Sequence, residues 1–314
     1  MEIDLQYLMF LQNLRVSTGG IFDEFFNSLS KLAVDILPFL PYIIFWTVDK
    51  KWGYRFIITH WLGEVLNGVI KLTVCAYRPW IRSDLIEPAG DSKVAATGYS
   101  FPSGHTLCAT MNYGTTYVWQ KNKRKWIAVL CVVLIALTAF SRNFLGVHTP
   151  QDVIVGFLEG ALLIFIVGKL QSRWEGNEKV LDILTGLGFV CIGAVLAYIQ
   201  LKPYPMDYVD GKLLVNPQSM MNDSFKACGS FLGLLIGSYL DRHRFHYEIP
   251  KKSANLPLVT SIGFALMFAW KEWFAPATIV AAFGSHWGHF IARFLMVFFA
   301  MVIWPAVITK ECAE

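Results

Sequence analysis

Long apolar segments alternate with short polar connections along almost the whole chain. The apolar segments cover residues 29–48, 54–75, 103–119, 126–142, 150–170, 180–200, 224–240, 256–272 and 286–308. A helix of about 20 residues, rising 1.5 Å per residue, crosses the roughly 30 Å hydrocarbon core of a bilayer. The pattern therefore predicts an all-α fold, a polytopic membrane helical bundle with nine transmembrane helices.

Lysine and arginine collect in every second connection between these segments. The basic connections hold Lys50, Lys51 and Arg55; Lys121, Lys123, Arg124 and Lys125; Arg173 and Lys179; and Arg242, Arg244, Lys251 and Lys252. Short basic connections stay in the cytoplasm, so we expect the amino terminus on the non-cytoplasmic side and the carboxy terminus in the cytoplasm. The three polar clusters described next would then all lie at non-cytoplasmic helix ends.

The composition of the 314-residue chain fits a membrane protein. Hydrophobic residues make up 55% of it, and the net charge of +4 lies mainly in the connections, which indicates orientation in a membrane rather than binding to nucleic acid. The six cysteines lack the spacing of a metal site or a disulfide framework, so we predict that they fill the core. Residues 1–20 lack the pattern of a cleaved signal peptide. An amphipathic segment at the membrane interface is indicated instead by Leu5, Leu8, Met9, Leu11 and Leu14.

Two cations, Lys71 and Arg78, lie near the end of the second apolar segment. Their separation of seven residues is almost two helical turns, which places them on one face, and Pro79 disfavours helix at Arg78. An ammonium and a guanidinium that face the same way suit a dianionic ligand. The alternative is a pair that reaches toward lipid head groups, although Lys71 lies in an apolar run, where a charge costs about 3 kcal/mol.

A second cluster, Pro102-Ser103-Gly104-His105, opens the third apolar segment. A helix start offers free N–H groups and the positive end of the helix dipole, which together bind anions. Gly104 allows close approach of the backbone, Ser103 adds a hydroxyl, and His105 can carry a proton for a leaving group. The alternative is a helix capped by Ser103 alone, but Gly104 would then be a poor helix residue.

A third cluster places Arg142, His148 and Asp152 around Pro150. If Pro150 occupies the first turn of a helix, His148 and Asp152 share a face. A carboxylate beside one imidazole nitrogen fixes the tautomer and leaves the other nitrogen oriented as a nucleophile. Arg142 can bring a guanidinium to the group under attack. Taken alone, the pair also fits a surface or capping interaction.

Together the clusters read Lys71-x6-Arg78-Pro79, Pro102-Ser103-Gly104-His105 and Ser141-Arg142-x5-His148-x3-Asp152. In this pattern the sequence resembles the type 2 phosphatidic acid phosphatase superfamily at every signature position, over roughly residues 60–170. The superfamily includes lipid phosphate phosphatases, undecaprenyl pyrophosphate phosphatases, glucose-6-phosphatase and the vanadium haloperoxidases.

The resemblance implies a metal-independent phosphatase that needs no cofactor. His148, held by Asp152, would form a phosphohistidine, and His105 would protonate the leaving oxygen and then activate water. The phosphoryl oxygens would be held by Lys71, Arg78, Ser103, Gly104 and Arg142. Residues 21–200 would form the catalytic membrane core, and residues 201–314 would add C-terminal transmembrane helices.

The substrate stays open at this stage. We expect a phosphomonoester or diphosphate of a lipid, phosphatidate-like, isoprenyl or sphingoid, presented by the bilayer. The nine-segment count resembles glucose-6-phosphatase and sphingosine phosphate phosphatases, so a sugar-phosphate phosphatase is an alternative, as are a lipid phosphotransferase and, from another class, a transporter or lipid-binding protein. The sequence does not indicate an oligomeric state.

Two further stretches have open interpretations. The connection 80–100, with Asp84, Glu87 and Asp91, either covers the site or is a solvated loop, and we predict the loop. A polar-aromatic cluster is typical of an interface belt, with a substrate role as the alternative; it comprises Ser285, His286, Trp287 and His289. The surrounding stretch from Phe274 to His289 is either a loop or a re-entrant segment.

Overall fold

The computed structural model describes residues 2–96, 98–209, 211–250 and 253–312, and these residues are mostly helical. Lys251 and Lys252 of the fourth basic connection lie outside the described residues. The α-helices are α1 Ile3–Ser17, α2 Asp23–Asp35, α3 Leu40–Thr47, α4 Lys50–Val74, α5 Pro79–Arg82, α6 Ser92–Ala95, α7 Gly104–Gln120, α8 Lys125–Phe144, α9 Pro150–Trp174, α10 Glu178–Leu201, α11 Pro217–Leu240, α12 Leu256–Ala269, α13 Ala281–Phe283, α14 Ser285–Phe298 and α15 Trp304–Glu311.

Short elements complete the description. A 3₁₀ turn covers Leu37–Phe39, and wider π-helical turns cover Asp241–Phe245, Trp270–Phe274, Pro276–Val280 and Phe299–Ile303. Two antiparallel strands of two residues each form a hairpin, β1 Tyr208–Val209 and β2 Lys212–Leu213. The stretch that the sequence left open after Phe274 is therefore helical up to Phe283. It breaks at Gly284, whose φ of +78° ends the turn before α14 begins.

Every apolar segment found in the sequence coincides with helix, and the all-α membrane fold is confirmed. Among the described residues, five helical runs are long and apolar enough to cross a bilayer: Asp23–Thr47, Lys125–Phe144, Pro150–Trp174, Glu178–Leu201 and Ser285–Glu311. The count of nine transmembrane helices stays a prediction. Helix α7 is less apolar because it contains polar residues such as Thr110, Asn112 and Thr115. Their side chains are buried and donate to backbone carbonyls one turn earlier.

The chain divides into two compact units. The first comprises Met1–Pro38, Leu66–Phe165 and Pro203–Met220, and the second comprises Phe39–Val65, Ile166–Lys202 and Met221–Glu314. All the residues of the three sequence clusters belong to the first unit. The second unit has a core rich in aromatic residues, in which the indole of Trp46 donates to the carbonyl of Ala300 at 2.8 Å and Tyr247 donates to the carbonyl of Trp46 at 2.6 Å.

In the first unit, α2 packs against α7 and α8. Ala33 and Leu37 lie against Ala109, Tyr113 and Cys131 in one buried cluster. A second buried cluster surrounds the turn after α8 and joins Phe26, Ala89, Ala96, Phe144, Leu145 and Val147. This turn leads directly to His148, so packing of α2 fixes the approach of the chain to that histidine.

The connection 80–100 is a packed segment, and the prediction of a solvated loop is wrong for it. Its three carboxylates are exposed as expected, but Ile86, Ala89 and Tyr99 are buried. Helix α1 holds the connection: Arg15 donates to the carbonyl of Glu87 at 2.6 Å, and Asp4 and Arg82 form an ion pair at 2.8 Å. The connection is therefore a fixed wall of the first unit.

The cysteine prediction holds for five of the six residues. Five cysteines are buried and Cys191 is exposed on α10; all six are free thiols. Cys191 lies in an apolar helix, many of whose residues are exposed. The hydrophobicity of the surrounding sequence therefore did not distinguish a buried position from an exposed one.

Helix α9 approaches the start of α7 so closely that only glycine fits at the contact. A Cβ atom built on Gly156 would lie 2.6 Å from the carbonyl oxygen of Ser103, well inside van der Waals contact. The absence of a side chain at Gly156 thus allows the second and third clusters to meet.

We predict that Gly156→Ala destabilises the protein by about 1–3 kcal/mol, because the added methyl forces α7 and α9 apart. Thermal unfolding of the purified protein in detergent measures the effect. Gly193→Ala is the matched control, since a Cβ there meets no atom within 4 Å and removing a helical glycine stabilises by about 0.5–1 kcal/mol. Equal stability of the two variants would contradict the close approach.

Candidate functional site

Arg78 connects the first sequence cluster to the third. It is the N-cap of α5, which begins at Pro79, and its side chain is buried. Nη1 donates to the carbonyl of Val147 at 2.9 Å and lies 2.9 Å from Nε2 of His148, while Nε donates to the carbonyl of Gly98 at 3.2 Å. A guanidinium has donors only, so Nε2 of His148 must be the acceptor.

His148 and Asp152 form the pair that the sequence predicted. Pro150 is the first residue of α9, so Asp152 lies in its first turn and His148 lies just before it. Nδ1 of His148 is 3.2 Å from Oδ2 of Asp152, and both side chains are buried. With Nδ1 donating to the carboxylate and Nε2 accepting from Arg78, the imidazole has one defined tautomer.

The environment keeps His148 neutral. Burial lowers its pKa well below the usual range, and the positive charge of Arg78 lowers it further. The hydrogen bond to Asp152 acts in the opposite direction without reversing the shift. Burial also lowers the pKa of Arg78, to about 10, against the opposing charge of Asp152. At neutral pH the pair is thus a neutral imidazole beside a charged guanidinium.

The Asp152 carboxylate is held by groups from two other segments. Oδ2 accepts from Ser100 Oγ at 2.5 Å and from the backbone N–H of Thr149 at 2.9 Å. The backbone carbonyl of Asp152 accepts from the N–H of Ser103 at 2.9 Å. One residue of α9 therefore fixes the second cluster through its backbone and orients His148 through its side chain.

The second cluster opens α7 as expected, and Ser103 is its N-cap. The buried Ser103 hydroxyl accepts from the N–H of Thr106 at 3.4 Å and from its hydroxyl at 3.0 Å, which is the bonding of a capping residue. Gly104 and His105 are half-buried in the first turn. His105 is close enough to Arg78, Arg142 and Lys71 to interact with their charges.

Lys71 lies in the last turn of α4 and is half-buried. Its ammonium donates to the carbonyls of Ser100 and Pro102. Lys71 thereby contacts the segment that leads into α7. The prediction that Lys71 and Arg78 share one helical face is wrong, because α4 ends at Val74 and Arg78 is the N-cap of α5.

Arg142 lies in the last turn of α8 and is buried. Its carbonyl accepts from the N–H of His148 at 3.2 Å, and its Nη1 donates to Ser30 Oγ at 2.9 Å. Its buried Nε has no hydrogen-bond partner among the described residues. A buried guanidinium with an unsatisfied donor is costly in the absence of an acceptor, so this group is suited to an anion.

Three supporting residues were not anticipated from the sequence. Ser100 binds Asp152, Asn143 Nδ2 donates to the carbonyl of His148 at 2.9 Å, and Ser30 binds Arg142. Asn143 follows Arg142 directly and Ser100 precedes Pro102 by two residues. Polar residues next to the clusters could therefore have been considered as candidates. Ser30 is separated from Arg142 by 112 residues, and no local pattern marks it.

The structure thus brings the predicted residues of all three clusters into one region of the first unit. Lys71, Arg78 and Arg142 supply three positive charges. The carboxylates near them are Asp152 and Glu159, which is close enough to Lys71 to interact with its charge. Such an excess of buried or half-buried cations, two of them guanidinium groups, favours a multiply charged oxyanion. A neutral, oriented imidazole beside them provides a nucleophile.

Comparisons with known proteins agree with this site. Residues 52–175 match the family model described as the PAP2 superfamily, which confirms the resemblance carried by the three clusters. Undecaprenyl-diphosphatase of Sulfolobus acidocaldarius is 28% identical over 136 residues, 43% of this chain and 63% of that protein. Lipid phosphate phosphatase delta of Arabidopsis thaliana is 27% identical over 264 residues, 78% of this chain and 59% of that protein.

Sphingosine-1-phosphate phosphatase 2 of Mus musculus is 23% identical over 246 residues, 76% of this chain and 63% of that protein. The aligned part of this chain thus spans about 59–63% of the length of these three relatives. No solved structure matches the chain.

We predict that Ser100→Ala lowers the free energy of unfolding by about 1.5–3 kcal/mol, because it removes a buried hydrogen bond to a carboxylate. Thermal or denaturant unfolding in detergent measures the change. Ser83→Ala is the control, since the Ser83 hydroxyl only accepts one long bond at 3.4 Å near the surface. If Ser100→Ala is no more destabilising than Ser83→Ala, the bond to Asp152 does not anchor the site.

Proposed function

Because the chain carries a PAP2 superfamily domain over residues 52–175, we propose that it is an integral membrane, metal-independent phosphatase. It hydrolyses a phosphomonoester or diphosphate of a lipid through a phosphohistidine intermediate. The observation that carries the proposal is the neutral Nε2 of His148, oriented by Asp152 and lying beside the guanidinium of Arg78.

In the first step, Nε2 of His148 attacks phosphorus and the bond from phosphorus to the ester oxygen breaks. His105 donates a proton to that leaving oxygen, so a phosphomonoester releases a neutral alcohol and a diphosphate releases the lipid monophosphate. Asp152 stabilises the positive charge that develops on the imidazole, since it accepts from Nδ1. In the second step His105 accepts a proton from water, the water oxygen attacks phosphorus, and the bond to Nε2 breaks to release inorganic phosphate.

The cations hold the phosphoryl oxygens during both steps. Arg78 contacts Nε2 directly, so a bound phosphoryl group must accept the hydrogen bonds of this guanidinium in place of the imidazole. Arg142 offers its unsatisfied Nε, and Gly104 offers an N–H at the start of α7. Lys71 and Ser103 complete the set. Charge stabilisation and positioning of this kind supply most of the catalysis in phosphoryl transfer.

The substrate is proposed to be a lipid that the bilayer presents to the site. Two features support this choice: the apolar helical runs of the protein, and its similarity to an undecaprenyl-diphosphatase, a lipid phosphate phosphatase and a sphingosine-1-phosphate phosphatase. Hydrolysis of a sugar phosphate and transfer of the phosphoryl group to a second lipid are the competing outcomes in the tests below.

We expect the purified protein in mixed micelles to release phosphate from at least one of phosphatidate, sphingosine 1-phosphate and undecaprenyl diphosphate. His148→Ala should lower kcat by about 10³-fold or more, because it removes the nucleophile. His243→Ala is the matched control, since His243 is exposed and pairs with Asp182. Activity on glucose 6-phosphate alone would favour a sugar-phosphate phosphatase, and full activity of His148→Ala would overturn the mechanism.

The same preparation can separate the two chemical steps. With p-nitrophenyl phosphate, whose leaving group needs little protonation, His105→Ala should release one burst of nitrophenol and retain a base-stable, acid-labile phosphoryl label. The label should be absent in the double variant that carries both His105→Ala and His148→Ala. Passage of the label to a lipid alcohol in preference to water would identify a phosphotransferase.

We also propose the topology and organisation expected from the sequence. The amino terminus and the site face the non-cytoplasmic side, the carboxy terminus is cytoplasmic, and residues 1–20 form an interfacial segment. Leu5, Leu8 and Leu11, from which the sequence predicted the interfacial face, are buried within the protein, so that part of the prediction is wrong. The exposed Ile3, Phe10 and Val16 of α1 support an interfacial segment instead. The site residues all fall within 21–200, which supports a catalytic core there and additional transmembrane helices in 201–314.

For this topology, a cysteine in place of Asp84 should react with an impermeant maleimide in intact cells. A cysteine in place of Lys123 should react only in inverted vesicles. Both positions are exposed, and the background carries Cys191→Ala because Cys191 is an accessible thiol. Labelling of both positions from the same side would contradict the arrangement.

A further inference from the structure

A second polar cleft lies in the second unit, among α11, α14 and the helical turns that follow α12. Its volume is about 170 Å³, and its charged lining consists of Lys226, Lys271, Glu272, His289 and Arg293. Trp270 and Met296 form part of its apolar wall. None of these residues belongs to the proposed phosphatase site.

Arg293 is the unusual member of this group. It lies within α14, in a helical run that is long and apolar enough to cross a bilayer, and charges are rare there unless they serve a function. It donates a hydrogen bond to Met296 Sδ at 3.7 Å, and sulfur is a weak acceptor. No ion pair to Arg293 is found among the residues that the structure describes. Within that part of the chain, the guanidinium therefore has only a weak hydrogen-bond acceptor.

The remaining charges of the cleft are paired. Lys271 contacts Glu272 at 3.0 Å, and Lys226 contacts Asp223 at 2.9 Å. Among the residues that line the cleft, Lys226, Lys271 and Arg293 are cations and Glu272 is a carboxylate. Asp223 and Glu64 are close enough to Arg293 to interact with its charge, but neither lines the cleft. His289 adds a ring nitrogen that can donate or accept.

We propose that this cleft binds a singly charged phosphate group, either the phosphodiester of a phospholipid head group or a free phosphate anion, with Arg293 as its main ligand. Cations outnumber carboxylates among the residues that line the cleft, and a guanidinium binds two phosphate oxygens at once. The volume is smaller than that of sites for whole drug-sized ligands, so it admits a head group and leaves acyl chains outside.

The position of Arg293 favours the lipid as the source of the phosphate. Eight residues separate it from Ser285, the first residue of α14, which is a rise of about 12 Å along the helix. An arginine at this depth can extend its guanidinium back toward the head groups and contact lipid phosphates. The apolar wall of Trp270 and Met296 suits the first carbons of a lipid glycerol.

Calorimetric titration of the purified protein tests this site, with dihexanoyl phosphatidylglycerol and inorganic phosphate as separate ligands. Arg293→Gln should weaken binding by about tenfold or more, since it removes a charge-assisted contact, and Arg293→Lys should retain most of the affinity. Lys310→Gln is the matched control, because it removes one exposed positive charge at the end of α15.

The two ligands identify the source of the phosphate. Loss of phosphatidylglycerol binding alone in Arg293→Gln indicates a lipid head group, and equal loss for both ligands indicates a site for the anion itself. If Arg293→Gln does not fold, Lys271→Gln and His289→Gln replace it, with an expected weakening of about threefold or more. Unchanged affinity in the folded variants, or no binding by the wild type, overturns the proposal. The His148→Ala measurement is separate, so either proposal can fail alone.

Discussion

The Asp152 carboxylate is the anchor on which the arrangement of the phosphatase site depends. A buried carboxylate is stable only if it is fully hydrogen-bonded or paired, and Asp152 meets this requirement with three donors from different places in the chain. Ser100 supplies a hydroxyl, Thr149 a backbone N–H and His148 an imidazole. The hydrogen bonds to this one carboxylate thereby hold together the connection before α7, the turn after α8 and the start of α9. The orientation of the imidazole follows from the same need.

Backbone geometry supports this anchor from the other side. Asp152 accepts the N–H of Ser103 through its own carbonyl, and Gly156 removes the side chain that would keep α9 away from Ser103. The turn that carries His148 is fixed by the carbonyl of Arg142 and by apolar packing around Leu145. Polar groups whose burial in a membrane would be costly are therefore held by hydrogen bonds and close packing within the first unit.

Much of this could be predicted from the sequence because the relevant constraints are local. Pro150 fixes a helix start, the spacing of His148 and Asp152 fits one helical turn, and Ser103 has the chemistry of an N-cap. The apolar segments also located the helices. The packed connection 80–100 was missed because its carboxylates suggest a solvated loop, whereas its burial depends on α1, which is distant in sequence. Ser30 was missed for the same reason, since only the packing of α2 against α8 brings it to Arg142.

The contact between Arg78 and Nε2 of His148 has a consequence for which compounds can react. The guanidinium of Arg78 covers the lone pair of Nε2, and only a competitor with sufficient negative charge can draw it away. A carboxylic ester or an amide carries no such charge and would meet a blocked imidazole. Discrimination against uncharged acyl compounds is thus built into the resting site, before any contact with the rest of the substrate is made.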